Sequence, residues 1–215
     1  MTTPDTSEDT ESLGEWFQRN GRAVSIASGV VAIAAISIWF YMRSAEIKRL
    51  NADRGLNQAK QSLAAGNSAL AATDLQKVAE RYVGTPGGTV SAMLLAQLRY
   101  DQAKLDDGLK VLEPYQNARA AGALLPDVWS LTGDGQISMG KAAEAAASYQ
   151  KAADATKLDG AKAVIMAKAG RALMAAGKDQ EARAIWEKLA ADPAYEVVKS
   201  EAAIRLGELA AKPAK

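Results

Sequence analysis

The sequence predicts an all-α protein: one N-terminal transmembrane helix, then a right-handed solenoid of about four helical hairpins closed by a capping helix. Three observations carry this. The run Ala23 to Met42 contains no charged residue. Alanine, the strongest helix former, is abundant, and the alternating β-branched and aromatic runs that mark strands are hard to find. Beyond the apolar run, small residues recur at a spacing of 37.

The apolar run reads AVSIASGVVAIAAISIWFYM. At a helical rise of 1.5 Å it spans roughly 30 Å, the hydrocarbon thickness of a bilayer. Arg19 and Arg22 flank one end, and Arg43, Lys48 and Arg49 the other. Trp39, Phe40 and Tyr41 gather at the C-terminal end, where an interfacial aromatic belt belongs. A cleaved signal peptide would have a shorter apolar core and a small-x-small site. The best such site here, ending at Ala45, would put Arg43 at its −3 position. A soluble core helix rarely runs this far without a polar residue stronger than Ser. The expectation is a tail over residues 1–22, a retained membrane helix over 23–42 and a soluble domain over 43–211. Charge leaves the orientation open. Basic residues near the anchor lean slightly toward a cytoplasmic C-terminal domain, whereas long domains translocate largely regardless of charge. Small residues four apart, such as Ser25 and Gly29 or Ser28 and Ala32, permit close packing in a membrane. An alanine-rich helix also produces such pairs by composition.

The repeat is read from four columns. Gly66, Ala103, Gly140 and Gly177 lie 37 residues apart. Seven residues before them stand Ala59, Ala96, Gly133 and Gly170, and five after them Ala71, Gly108, Ala145 and Ala182. Nine after them come larger apolar residues, Leu75, Leu112, Tyr149 and Trp186. The first column fits a hairpin turn. The two flanking columns fit places where helices cross too closely for a large side chain, so a larger residue at Gly140 or Ala145 should jam the third unit. The large column would plug the space between hairpins, which cannot bury their apolar faces alone. Hairpins are expected over 45–82, 88–121, 126–156 and 159–191, broken at Gly84–Gly88, Gly122–Pro126 and Asp159–Gly160. A capping helix is expected over 195–211 and fraying over 212–215. With no Pro or Gly between Tyr41 and Gly55, the first helix should run on from the membrane segment.

Composition argues against chemistry. There is no histidine and no cysteine, which removes the commonest general base and the thiolate and disulfide chemistries. The net charge of +1 offers no field for nucleic acid. Gly84–Gly88 lacks the lysine of a phosphate loop. Asp106-Asp107 suits a helix start, where acids complement the dipole. Neither an enzyme, a cofactor, a metal nor a small-molecule substrate is expected.

The third unit resembles the tetratricopeptide repeat, with Trp129, Gly133, Gly140, Ala145, Tyr149 and Ala152 at that motif's offsets and Gln136 in place of its tyrosine. The fourth follows with Gly170, Gly177, Ala182, Trp186 and Pro193. The first two units are degenerate, and the spacing of 37 exceeds the usual 34. The whole layout is similar to the YfgM-like family of bacterial inner-membrane tetratricopeptide proteins, ancillary subunits of the Sec translocon. EWFQRNGRAV (15–24), the aromatic exit Trp39–Tyr41, SAMLLAQ (91–97) and GRALMAAGKDQEARAIW (170–186) carry that likeness. It implies an N-terminus in the cytoplasm and a periplasmic repeat domain. It also implies protein partners: the translocon, envelope chaperones or exported clients. The tetratricopeptide likeness further implies a concave groove lined by the first helix of each hairpin. Carried onto this chain, the lining is Met93, Gln97 and Tyr100 in the second unit. The third supplies Ser130, Asp134 and Ile137, and the fourth Arg171 and Met174. Tyr100 and Arg171 are expected to serve binding more than folding. The other reading is structural: an accessory subunit bracing a larger membrane complex.

Overall fold

The computed structural model describes residues 13–211, with side chains from Gly21 onward except Ala23, Val24 and Ala27. Residues 1–12 of the expected tail and the expected fraying at 212–215 lie outside the described residues, as do the side chains of Glu15 to Asn20. The chain divides into two compact units, 1–47 and 48–215, and helix α1 (Leu13–Ala64) contributes residues to both.

In the first unit α1 presents its apolar side chains outward. Val30, Ile33, Ile36, Trp39 and Phe40 are all more than half exposed, and none of the most apolar window, of mean hydropathy 1.5, is buried in the structure. A soluble core helix would cover this surface. The helix is long and apolar enough to cross a membrane. Trp39 and Phe40 meet edge-on with centroids 5.7 Å apart.

The second unit is a stack of hairpins, and no strand occurs among the described residues. The end of α1 pairs with α2 (Ser68–Arg81), α3 (Pro86–Asp101) with α4 (Leu105–Leu112), α6 (Leu125–Ser138) with α7 (Ala142–Ala155), and α8 (Asp159–Ala175) with α9 (Asp179–Ala191). Each hairpin then packs on the next through α2 and α3, α4 and α6, or α7 and α8. The short helix α5 (Ala118–Ala121) and two 3-10 turns bridge α4 to α6. After α9 a 3-10 segment, Pro193–Val198, leads into α10 (Lys199–Ala211), which covers α9 as the cap.

The turn column is visible in the backbone. Gly66, Ala103, Gly140 and Gly177 all have left-handed φ, at 77°, 59°, 76° and 72°. Glycine takes this conformation without strain, whereas an L side chain costs about 1–2 kcal/mol there. Ala103 is the one non-glycine that accepts that cost among the described residues. A Cβ on Gly140 would meet nothing within 4 Å. Gly140 is therefore constrained by its backbone angle and not, as the sequence suggested, by a helix crossing.

The crossings lie about two turns before it. A Cβ on Gly133 would come within 2.6 Å of the Tyr149 ring, and one on Gly170 within 2.7 Å of Trp186. Trp186 is fully buried, as are Leu75 and Leu112 of the same column, and Tyr149 is nearly so. Ala59, Ala96, Ala145 and Ala182 have no exposed surface. Small residue against large ring is thus the contact that joins the two helices of a hairpin.

Two boundaries differ from expectation. Gly87 and Gly88 do not break the chain but open α3 at Pro86, buried against α1. A Cβ on Gly87 would lie 2.8 Å from Asp53, and one on Gly88 only 2.2 Å from the Tyr82 carbonyl. Thr85 caps this helix, its Oγ accepting from the Gly88 amide at 3.0 Å. The second helix of the second unit also stops early. Pro114 cannot continue α4 because it lacks an N–H, and the chain turns so that Tyr115 buries its ring and donates its hydroxyl to the Ala79 carbonyl.

Ala145→Leu and Gly133→Ala should each lower stability by about 1–3 kcal/mol through overpacking. Gly140→Ala should cost about 1–2 kcal/mol through φ alone. Urea unfolding of the full chain in neutral detergent checks this; parental stability for Gly133→Ala would mean that the Tyr149 ring yields freely.

Candidate functional site

The first helices α3, α6 and α8 stand side by side, and the residues expected to line a groove fall on them in register. Gln97, Asp134 and Arg171 are 37 residues apart, as are Tyr100, Ile137 and Met174. Two cavities open along these helices. The first, of 370 Å³, lies between α3 and α6 and is lined by Met93, Gln97, Ser130 and Asp134 together with Val90, Leu94 and Leu131. The second, of 360 Å³, lies between α6 and α8 and takes in Asp134, Ile137 and Arg171 with Tyr149 behind them. Asp134 belongs to both.

Six of the eight expected residues therefore come together. Tyr100 and Met174 line neither cavity. Tyr100 is half-buried. Its ring occupies the space that Gly108 and Gly135 leave empty, where a Cβ would lie 2.3 Å and 2.4 Å from it, and its hydroxyl points to the Leu131 carbonyl at 3.4 Å. Its bulk joins α3, α4 and α6, so the buried alternative wins over a purely binding one. Met174 packs against the C-terminal core. Arg171 is exposed at the second cavity, but its guanidinium is paired with Glu201 of the cap helix.

Asp134 is the polar centre. The Tyr149 hydroxyl donates to its Oδ1 at 2.7 Å. Lys168 reaches across from α8 and donates to both carboxylate oxygens at 2.9 Å and to Ser130 Oγ at 3.2 Å. The same ammonium lies 5.5 Å from the Tyr149 ring centroid, within cation–π range. Because the pair is part-exposed, its electrostatic worth is modest; its geometric effect is to fix α8 against α6.

Lys168 was not anticipated from the sequence. It stands 37 residues after Leu131 and 74 after Leu94, in a column whose first-unit member is Asn57. A lysine following two leucines was the available signal.

Burial shapes the tyrosines. Desolvation, then the Asp134 hydrogen bond and the charge of Asp134, push the Tyr149 hydroxyl far above its ordinary range. Desolvation and then the Asp134 charge raise Tyr100 as well, and burial pushes Tyr115 up to about 12.

A larger cavity of 530 Å³ lies between α2, α3 and α4, where α4 stops short. Val83, Val111, Pro114 and Tyr115 line it, along with Glu80, Asp107, Arg99 and Lys110. Its charges balance, and it follows from the shortened α4, not from the repeated columns. Among the described residues no cluster of carboxylates could hold a metal ion.

The stacked hairpins, left-handed turns and small-residue crossings agree with comparison to known families. A family model for the tetratricopeptide repeat-like domain matches residues 50–170. The chain belongs to that family. A search of curated proteins finds no match to it. The repeat pattern continues past the matched segment: Gly177 keeps the turn angle, and Trp186 fills the gap at Gly170.

The tyrosines set an alkaline limit. Tyr100, Tyr115 and Tyr149 each have a folded pKa above that of the unfolded chain, so their contribution is fully present below about pH 10 and is lost as pH rises through the folded values. Urea midpoints should fall from about pH 10 upward, and Tyr149→Phe should shrink that fall. An identical alkaline loss in parent and variant would show that Tyr149 ionises without cost.

Proposed function

We propose that this protein is a membrane-anchored, non-enzymatic interaction scaffold that docks polypeptide partners in the groove along α3, α6 and α8. The observation that carries this reading is the pair of adjoining cavities built from repeated columns of the first helices and sharing Asp134. Membership of a tetratricopeptide repeat-like family supports protein–protein interaction in general. The walls combine the thioether of Met93, a side chain that adapts to varied partners, with the amide and hydroxyl of Gln97 and Ser130.

The exposed apolar face of α1 supports a single membrane crossing, with Trp39, Phe40 and Tyr41 at one interface. The likeness of residues 15–24 to the YfgM-like family supports a bacterial inner-membrane protein whose N-terminus is cytoplasmic and whose repeats face the periplasm. In that setting the partners are the Sec translocon, periplasmic chaperones or newly exported proteins. Protease added to spheroplasts would then reach residues beyond Arg43; protection until lysis would reverse the topology.

Groove variants separate binding from folding. Met93→Ala and Gln97→Ala should keep stability within about 1 kcal/mol of the parent, since neither is fully buried. If either is a binding hot spot, it should weaken partner capture by more than about tenfold. Tyr100→Ala should instead destabilise the domain. Unchanged capture by both groove variants would remove the groove from the mechanism.

A further inference from the structure

The groove carries one uncompensated charge, and it identifies the chemistry of the occupant. Asp127, Ser130 and Asp134 succeed one another at three and four residues along α6, so they share one face of that helix. All three line the cavity between α3 and α6. The opposite wall is apolar over Val90, Met93 and Leu94, and no cationic side chain lines this cavity.

The two carboxylates differ. Asp134 is satisfied by Lys168 and Tyr149. Asp127 is exposed in the first turn of α6, and its carboxylate has no hydrogen bond or ion pair among the described residues. Its column heightens the contrast, because the equivalent residues of the neighbouring repeats are Val90 and Val164. The first unit also carries an aspartate at this position, Asp53, but it lies beside Gly87 and does not line this cavity.

The chain also displays what such a row of polar groups accepts. The Lys168 ammonium, arriving from another helix, sits on Asp134 and Ser130. Two turns away, Asp127 offers a second carboxylate beside open apolar walls.

We infer that the cavity between α3 and α6 selects polypeptide segments in which a lysine or arginine is flanked by apolar residues, with Asp127 receiving the cation. This rests on the proposed use of the groove for docking. The apolar neighbours of the segment fill the wall made by Val90, Met93 and Leu94, while charge complementarity at Asp127 fixes register and rejects acidic segments, which would face its unpaired carboxylate. Asp127 acts as a selectivity residue: the apolar walls supply contact area whatever the charge of the peptide.

The test uses the full chain in a neutral detergent and fluorescence polarisation with labelled peptides Gly-Ser-Leu-Leu-X-Leu-Leu-Ser-Gly, where X is Lys, Gln or Glu. The Lys peptide should bind about fivefold tighter than the Gln peptide, as expected for a part-exposed ion pair, and the Glu peptide weakest. Asp127→Asn should bring the Lys peptide to the Gln value, and Asp127→Lys should reverse the order. Thermal melting of both variants confirms that the fold persists. Equal affinities for the three peptides on the parent would overturn the selectivity and leave the groove in place. A lysine preference that survives Asp127→Asn would overturn the assignment to Asp127. No binding of any peptide would overturn the groove reading itself, and this inference with it.

Discussion

The fit of a large ring into the space above a residue without a side chain governs the repeat domain. Tyr149 lies over Gly133 and Trp186 over Gly170, with distances that leave no room for a Cβ. Helices joined this way approach closely enough that alanines such as Ala145 and Ala182 lose all exposed surface. Dispersion and apolar burial then stabilise a hairpin whose helices are too short to persist alone in water. The left-handed turn at every thirty-seventh residue serves the same contact, because it returns the second helix at the angle that brings the ring above the glycine. Where the ring is a leucine, as at Leu75 and Leu112, the opposing residue is alanine: volume is exchanged across the contact and the spacing is kept.

That contact also produces the groove. Once ring and glycine have fixed each hairpin, successive first helices lie side by side and their outward columns align. Gln97, Asp134 and Arg171 are brought together by the repeat, not by any one helix. The network on Asp134 then uses side chains from three helices, α6, α7 and α8, and joins the surface that would face a partner to the ring that holds the hairpin. Tyr149 belongs to both: its ring packs on Gly133 and its hydroxyl donates to Asp134. Stability and the polar floor of the groove are coupled through this residue.

Much of this was legible in the sequence because it rests on period and size. The spacing of 37 located the turns, and Ala103 takes the same left-handed angle as the glycines even though its identity gives no hint of it. The apolar run and its aromatic exit marked a helix with no soluble core to cover it. Six residues named from family offsets alone line the two cavities. The remainder depends on three-dimensional detail that spacing does not encode. Gly87 and Gly88 read as breakers, yet they are glycines because α1 and Tyr82 press on them. Tyr100 shares its column with the cavity-lining Ile137, but Gly108 and Gly135 leave a slot that draws its ring inward. Lys168 and Asp127 are charged where the adjacent repeats carry Leu131, or Val90 and Val164, and their meaning appears only once the neighbouring helix is in place.

The account stands on the claim that the surface of the first helices is what partners touch. A photo-reactive residue placed at Gln97, in the groove, or at Lys77, exposed on α2, tests this directly in intact cells. After irradiation, mass spectrometry of the adducts reads out the partners. Position 97 should give discrete protein adducts that Met93→Ala diminishes, and position 77 few or none. Adducts confined to position 77, or equal at both and indifferent to Met93→Ala, would contradict it.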